Sequence, residues 1–164
     1  MVSSIFSYSV IKTASTTGQT GTDLLDTHIE KTVPVPHLKG IAVGTKSKDT
    51  SASSHLATIK LAVETRLSSP VEITTESLLI GYRDGYQYVP DMTWAVRWLR
   101  GNGDLLDRNE LAEFTLDLSK LTPKLGAARP FTIEIKPLAG GPLAYTFATP
   151  QGLDDVTELP GLVR

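Results

Sequence analysis

Acidic side chains form the pattern in this sequence that could do chemistry. Asp84 and Asp91 bracket the segment GYQYVP, and Asp104, Asp107 and Glu110 cluster in GDLLDRNE. Carboxylates in loops at one end of a β-domain can bind a hard divalent cation such as Ca²⁺. Asp is also common in turns for backbone reasons, and this spacing does not match an EF-hand loop, so plain turns are the alternative. We therefore predict a candidate divalent-cation site at Asp84, Asp91, Asp104 and Asp107, and the sequence indicates no other cofactor.

No arrangement of residues predicts an enzyme. His28, His37 and His55 have no partner at helical metal-ligand spacing and no nearby carboxylate pattern, so we expect solvent-facing histidines in loops and at strand ends. GxSxG, HExxH and phosphate-binding glycine loops are missing, and GNGD at 101–104 lies between two strand patterns, which is typical of a hairpin turn. The chain has no cysteine, which excludes disulfides and thiolate metal sites.

Aromatic residues give a second set of candidates. Trp94 and Trp98 share one phase of a strand pattern, which fits either core packing or a platform for a sugar ring. Val96 lies between them on the same face and favours the core. Tyr82, Tyr86 and Tyr88 lie partly in a loop and are candidates for surface contacts.

Composition limits the class of partner. The chain has 164 residues, 40% of them hydrophobic and 21% charged, which is typical of one globular domain with its own core. The net charge of −2 provides no basic stripe for nucleic acid or an anionic membrane. No apolar run reaches the length of a membrane-spanning helix. Asparagine occurs only at 102 and 109, and neither begins an N-glycosylation acceptor.

Strict alternation predicts β-structure beyond residue 35. HLATIKLAVETRL, AEFTLDL and FTIEIK each place apolar residues on one face and polar residues on the other. Together with LKGIAVGTK, VEITTESLLIGY, WAVRW and LAYTFAT they give about seven strands, separated by the turn signals SSP, RDG, RGNGD and AGGP. We predict a mainly β fold, an immunoglobulin-like antiparallel β-sandwich, with a closed barrel as the alternative.

The first 32 residues follow a different pattern. They are rich in Ser and Thr, as a linker would be, yet apolar residues recur at three- and four-residue steps. We predict the C-terminal part of an α-helix, an N-terminal stump over 1–32 that precedes the sandwich domain over 33–164. Small hydroxylated residues allow close packing against a neighbouring helix. The predicted packing residues are Ile5, Phe6, Val10, Leu24 and Leu25.

Several segments resemble the archaellins, which are the archaeal flagellins. FTIEIKPLAGGPLAYTFATPQGLDDVTEL resembles the end of the archaellin outer domain, with its strand, glycine-rich hairpin and final strand. WLRGNGDLLDRNELAEFTLDL is similar to the acidic hairpin and the strand that follows it. VIKTASTTGQTGTDLL resembles the junction at which the long N-terminal helix leaves its most apolar part.

This resemblance implies a structural subunit of the archaellum, an extracellular cell-surface filament. The helix would pack against identical or paralogous subunits, and the sandwich would lie on the filament surface. Archaellins begin with a long apolar helix after a class III signal, and Met1 here resembles a start within or just after that helix. The alternatives are an archaellum stator-type protein that binds the surface layer, and a carbohydrate-binding β-sandwich module. Some archaellins bind a divalent metal, but no ligand set carries over to this sequence residue by residue.

Overall fold

A computed structural model describes residues 36–49, 53–65, 70–139 and 141–162 of the chain. All of these residues belong to one unit, Pro34–Arg164. The predicted helix stump over 1–32 and its packing residues, Ile5, Phe6, Val10, Leu24 and Leu25, lie outside the described residues and stay predictions. In the part of the chain that is described, no helix has the length and apolar character needed to cross a membrane.

The regular secondary structure of the described residues is β-structure, which confirms the mainly β prediction. Twelve strands follow one another along these segments. Their bounds are β1 Pro36–Leu38, β2 Ala42–Lys46, β3 Leu56–Thr65, β4 Val71–Glu72, β5 Leu78–Asp84, β6 Tyr88–Val89, β7 Trp94–Arg100, β8 Leu105–Leu106, β9 Leu111–Asp117, β10 Pro130–Pro137, β11 Leu143–Ala148 and β12 Val156–Leu159.

The alternating segments form the central strands. Strands β9 and β10, and β3 from Ile59 onward, bury every second residue, as the period-two patterns predict. Their inward side chains belong to one hydrophobic cluster shared by both large sheets. Examples are Ile59 and Leu61 on β3, Phe114 on β9 and Ile133 on β10, all fully buried.

In the described segments, antiparallel pairing builds two large sheets and one small one. The six-stranded sheet has the order β12-β2-β3-β9-β7, with β1 also paired to β3. The four-stranded sheet has the order β11-β10-β5-β6, and β4 pairs with β8 in the small sheet. Because the two large sheets share one core, they form the two layers of the predicted sandwich.

Both sides of the sandwich are joined by chain segments that pass from one sheet to the other. On one side β6 pairs with β5, the amide of Met92 then donates to Ile80 O at 2.7 Å, and β7 continues in the six-stranded sheet. On the other side β12 pairs with β2, and the amide of Leu162 donates to Thr146 O of β11 at 2.8 Å. These contacts partly close the sandwich at its two sides, a feature that it shares with the closed barrel predicted as the alternative.

Two segments that alternation predicts as single strands are divided in the structure. LKGIAVGTK becomes β1 and β2, which bond to successive parts of β3 and are separated at Gly40, where φ is +78°. VEITTESLLIGY becomes β4 and β5, separated by a turn in which the amide of Leu78 donates to Thr74 O at 3.0 Å.

Candidate interaction surfaces

Asp84 closes the turn between β5 and β6. Its Oδ1 accepts the amide of Tyr86 at 2.7 Å and the amide of Gln87 at 2.9 Å. Its Oδ2 accepts the hydroxyl of Tyr82 at 2.8 Å. Both carboxylate oxygens therefore already serve the turn, as expected of Asp in this position.

The same contacts shift the titration of both partners. Burial raises the pKa of Tyr82, and its hydrogen bond to Asp84 raises that pKa further. Partial burial acts to raise the pKa of Asp84, but the hydrogen bonds from Tyr86, Tyr82 and Gln87 outweigh it and hold that pKa below its usual 3.8. The charged carboxylate is thus the form that the folded turn prefers.

Replacement of Asp84 by asparagine tests this role. Because the folded-state pKa is lowered, the stabilisation is present above pH 3.8 and is lost as pH falls through the folded-state pKa. At neutral pH we expect Asp84→Asn to lower the free energy of unfolding by about 1 kcal/mol. Urea unfolding across acidic pH should show the difference from the wild type shrinking below pH 3.8. A difference that stays constant with pH would contradict the assignment.

The other predicted cation ligands do not converge with Asp84. Asp107 Oδ1 accepts the amide of Arg108 at 2.6 Å, and the amide of Asp107 donates to Glu110 Oε2 at 2.9 Å, so both acids shape the turn before β9. Asp91 and Asp104 are exposed. Among the described residues, no three His, Cys, Asp or Glu side chains form a group that could hold a metal ion. The cation site stays a prediction.

The histidine prediction needs a correction at one position. His55, at the start of β3, is only 8% exposed, and its Nδ1 lies 2.8 Å from Ser53 O. Its ring is held by the backbone of its own loop instead of facing solvent. His37 is half-buried on β1, and His28 lies outside the described residues.

Both tryptophans are half-buried and pack against the core. Trp94 contacts Phe114 edge to face with 5.2 Å between ring centroids. Trp98 donates its indole N–H to Gly103 O at 3.0 Å. This favours the core assignment over a sugar platform, which needs open ring faces. Tyr82, predicted as a surface contact, is fully buried, whereas Tyr86 and Tyr88 are exposed as expected.

The outer side of the four-stranded sheet and its β5–β6 turn carry a cluster that we call the aromatic-basic face. Tyr88 is its centre, because Lys136 Nζ donates to the Tyr88 hydroxyl at 2.7 Å and the Arg83 guanidinium lies 5.3 Å from the ring centroid. At the turn, Arg129 lies 4.6 Å from the centroid of the Tyr86 ring. The face consists of Leu79, Arg83, Tyr86, Tyr88, Arg129 and Lys136.

Glu134 holds the cations of this face in place. It pairs with Arg83 at 2.5 Å and with Lys136 at 2.6 Å. The hydrogen bond from Lys136 lowers the pKa of Glu134, and the same bond raises the pKa of Lys136. The Glu134 side chain is only 12% exposed, whereas that of Arg83 is 60% exposed. The face therefore presents Arg83 and the two tyrosine rings to its surroundings, with Lys136 33% exposed and the carboxylate beneath them.

The six-stranded sheet carries a contrasting surface at β12, which we call the acidic ridge. It consists of Asp154, Asp155, Val156 and Glu158. Thr157 and Leu159 point into the core, so Val156 and Glu158 point outward, and Val156 is 67% exposed. The ion pairs found among the described residues include none of these three acids.

A groove of about 570 Å³ runs beside the aromatic-basic face. Its lining includes Arg83, Glu134, Tyr145 and Leu162. Among its described lining residues, Arg83 and Glu134 are already paired with each other.

Sequence reasoning identified only part of these surfaces. Alternation places Glu134 and Lys136 on the outward side of FTIEIK, and RDG marks the turn after Arg83. The sequence does not give the register between β10 and β5. Arg83 reaches Glu134 because the two strands pair with Thr132 opposite Arg83. No local pattern specifies that pairing.

The comparisons with known proteins are structural. No protein-family model matches the chain, and no curated protein matches it significantly. The archaeal flagellum subunit of Methanospirillum hungatei strain JF1 is 18% identical with a TM-score of 0.61, over 96% of this chain and 90% of that one. Archaeal flagellin FlaB1 of Methanocaldococcus jannaschii is 10% identical with a TM-score of 0.62, over 77% and 97%. The periplasmic stator complex FlaF and FlaG of Sulfolobus acidocaldarius is 16% identical with a TM-score of 0.50, over 68% and 87%.

These likenesses concern the fold, since every identity is below 20%. The flagellin likeness spans most of both chains. An antiparallel sandwich with a buried core fits that architecture. This chain has an archaellin-like fold.

Proposed function

We propose that the chain is a structural subunit of the archaellum, repeated along the filament with its β-sandwich on the outside. The observation that carries the proposal is coverage, because the likeness to the flagellum subunit extends over 96% of this chain and 90% of that subunit. In this proposal the segment 1–32 packs against identical or paralogous subunits in the filament interior. The location is extracellular, on the cell surface.

The described surface supports a role in assembly. Its carboxylates at Asp84 and Asp107 serve turns, and Glu134 is paired with two cations. Repeated contact between unlike surfaces of identical subunits builds an open helix when the rotation does not close. A stable sandwich with two chemically different outer surfaces suits that task.

The second candidate is a stator-type protein that holds the surface layer or its own kind near the cell envelope. The likeness to the FlaF and FlaG stator complex favours it, over 68% of this chain. The filament subunit is preferred because its likeness covers more of the chain and has the higher TM-score, 0.61 against 0.50.

Fractionation of the source cells separates the two candidates. Surface filaments are sheared off, and peptides of this chain are quantified by mass spectrometry in the filaments and in the stripped envelopes. The proposal predicts that the chain is a major component of the filaments. A chain found in the envelope fraction and absent from the filaments would instead support the stator role.

A further inference from the structure

We propose that the aromatic-basic face of one copy docks on the acidic ridge of the next copy, so that the sandwiches join head to tail. The inference rests on the proposed function, because it names the lateral contact between filament subunits. It is carried by the chemistry of the two surfaces and by their positions on opposite layers of the sandwich.

Composition marks the aromatic-basic face as a binding surface. Tyrosine and arginine are enriched where binding energy concentrates at protein interfaces. Tyr86 is 69% exposed, and Tyr88 and Leu79 are exposed beside it. The two tyrosine side chains are held in place. Tyr88 accepts a hydrogen bond from Lys136, and the guanidinium of Arg129 lies against the ring of Tyr86. Side chains ordered before binding lose less entropy when a partner arrives.

Charge identifies the partner surface. The face carries three cations, the exposed Arg83 and the half-buried Arg129 and Lys136, while Glu134 lies beneath them. The acidic ridge presents three carboxylates around the exposed Val156. Contact between the two surfaces places opposite charges together and covers exposed apolar area on both. A two-fold contact between two copies of either surface would bring like charges together, which is disfavoured.

Position makes the contact propagate. Arg83 and Lys136 point outward from the four-stranded sheet, since the residues that precede them on β5 and β10, Tyr82 and Ile135, point into the core. Val156 and Glu158 point outward from the six-stranded sheet. The outer faces of the two layers of a sandwich point in opposite directions, so the two surfaces of one copy cannot satisfy each other. Each copy can therefore bind two neighbours through unlike surfaces, which is the heterologous contact of an open assembly.

Paired charge reversals test the contact. The face variant carries Arg129→Glu and Lys136→Glu, and the ridge variant carries Asp155→Lys and Glu158→Lys. Sedimentation velocity of the whole chain over a concentration series at low salt measures self-association, and circular dichroism melts check that each variant is folded. We expect each variant alone to associate at least about tenfold more weakly than the wild type, because attraction becomes repulsion on one side of the contact.

The mixture of the two variants is the decisive sample. The reversed face of one variant then meets the reversed ridge of the other, and the unreversed pair also matches, so association should return. Added salt should weaken association of the wild type and of the mixture. The control is Arg100→Glu with Arg108→Glu, two exposed cations outside both surfaces, which should associate as the wild type does.

Three results would overturn the proposal: a wild-type chain that stays monomeric throughout, variants that associate like the wild type, or a mixture that fails to recover. The proposed function is tested separately, by the fractionation of filaments and envelopes. Filaments that contain the chain, combined with unaffected association of the variants, would remove this contact alone. Recovery in the mixture with no chain in the filaments would remove the filament role and keep the contact.

Discussion

Replacement of Phe131 by alanine is expected to lower the free energy of unfolding by about 3–5 kcal/mol. Phe131 is the middle ring of three that line the inner face of the four-stranded sheet. Its centroid lies 5.8 Å from that of Tyr82 on β5 and 5.6 Å from that of Phe147 on β11. Alanine would remove the ring that joins three neighbouring strands and would leave a cavity that fully buried neighbours cannot easily fill.

Thr132→Ala is the matched control for Phe131→Ala. It changes the next residue on the same strand, which faces outward, and it removes one hydroxyl that lies 3.0 Å from the Thr146 hydroxyl. We expect a loss of about 1 kcal/mol or less for that change. Chemical denaturation of the three chains measures both values. A similar loss for the two substitutions would contradict the assignment of the inner and outer faces of β10.

Replacement of Gly44 by valine is expected to cost about 3 kcal/mol, through overpacking instead of a cavity. Gly44 lies on the inner side of β2, opposite Ile59 of β3. A Cβ atom at this position would lie 2.6 Å from Leu56 Cδ1 and 3.0 Å from its Cδ2. Leu56 is fully buried, so its side chain has little room to move away.

Two further variants establish the cause of the Gly44→Val effect. Thr45→Val introduces the same side chain at the next residue, on the outward side of the strand, and should change stability little. In a Leu56→Ala background the clash is absent, so Gly44→Val should cost much less than in the wild type. A cost that is equal in both backgrounds would contradict the overpacking explanation.

The sequence predicts the sandwich well where one face of a strand is buried and the other is exposed to solvent. Ile59, Leu61 and Val63 alternate with polar or small residues, and a one-residue slip in pairing would turn all three outward. It predicts short strands poorly, because two-residue pairs such as β4 with β8 depend on distant partners and carry no period.

The candidate surfaces show the same limit. Arg83 and Glu134 are 51 residues apart and meet because β5 pairs with β10. Tyrosine is common on protein surfaces, but the ring of Tyr82 stacks on Phe131 in the core and its hydroxyl donates to Asp84. The chemistry of each residue is readable from the sequence, whereas its neighbours are set by pairing between distant strands.

Helical reconstruction of the sheared filaments by electron cryomicroscopy shows whether this chain is their subunit. We expect an outer shell of repeating antiparallel sandwiches that fits this chain, one per subunit, in density that resolves the side chains of β3, β9 and β10. Filaments whose outer domain cannot accommodate this sequence, in a strain that produces the chain, would contradict the proposed filament role.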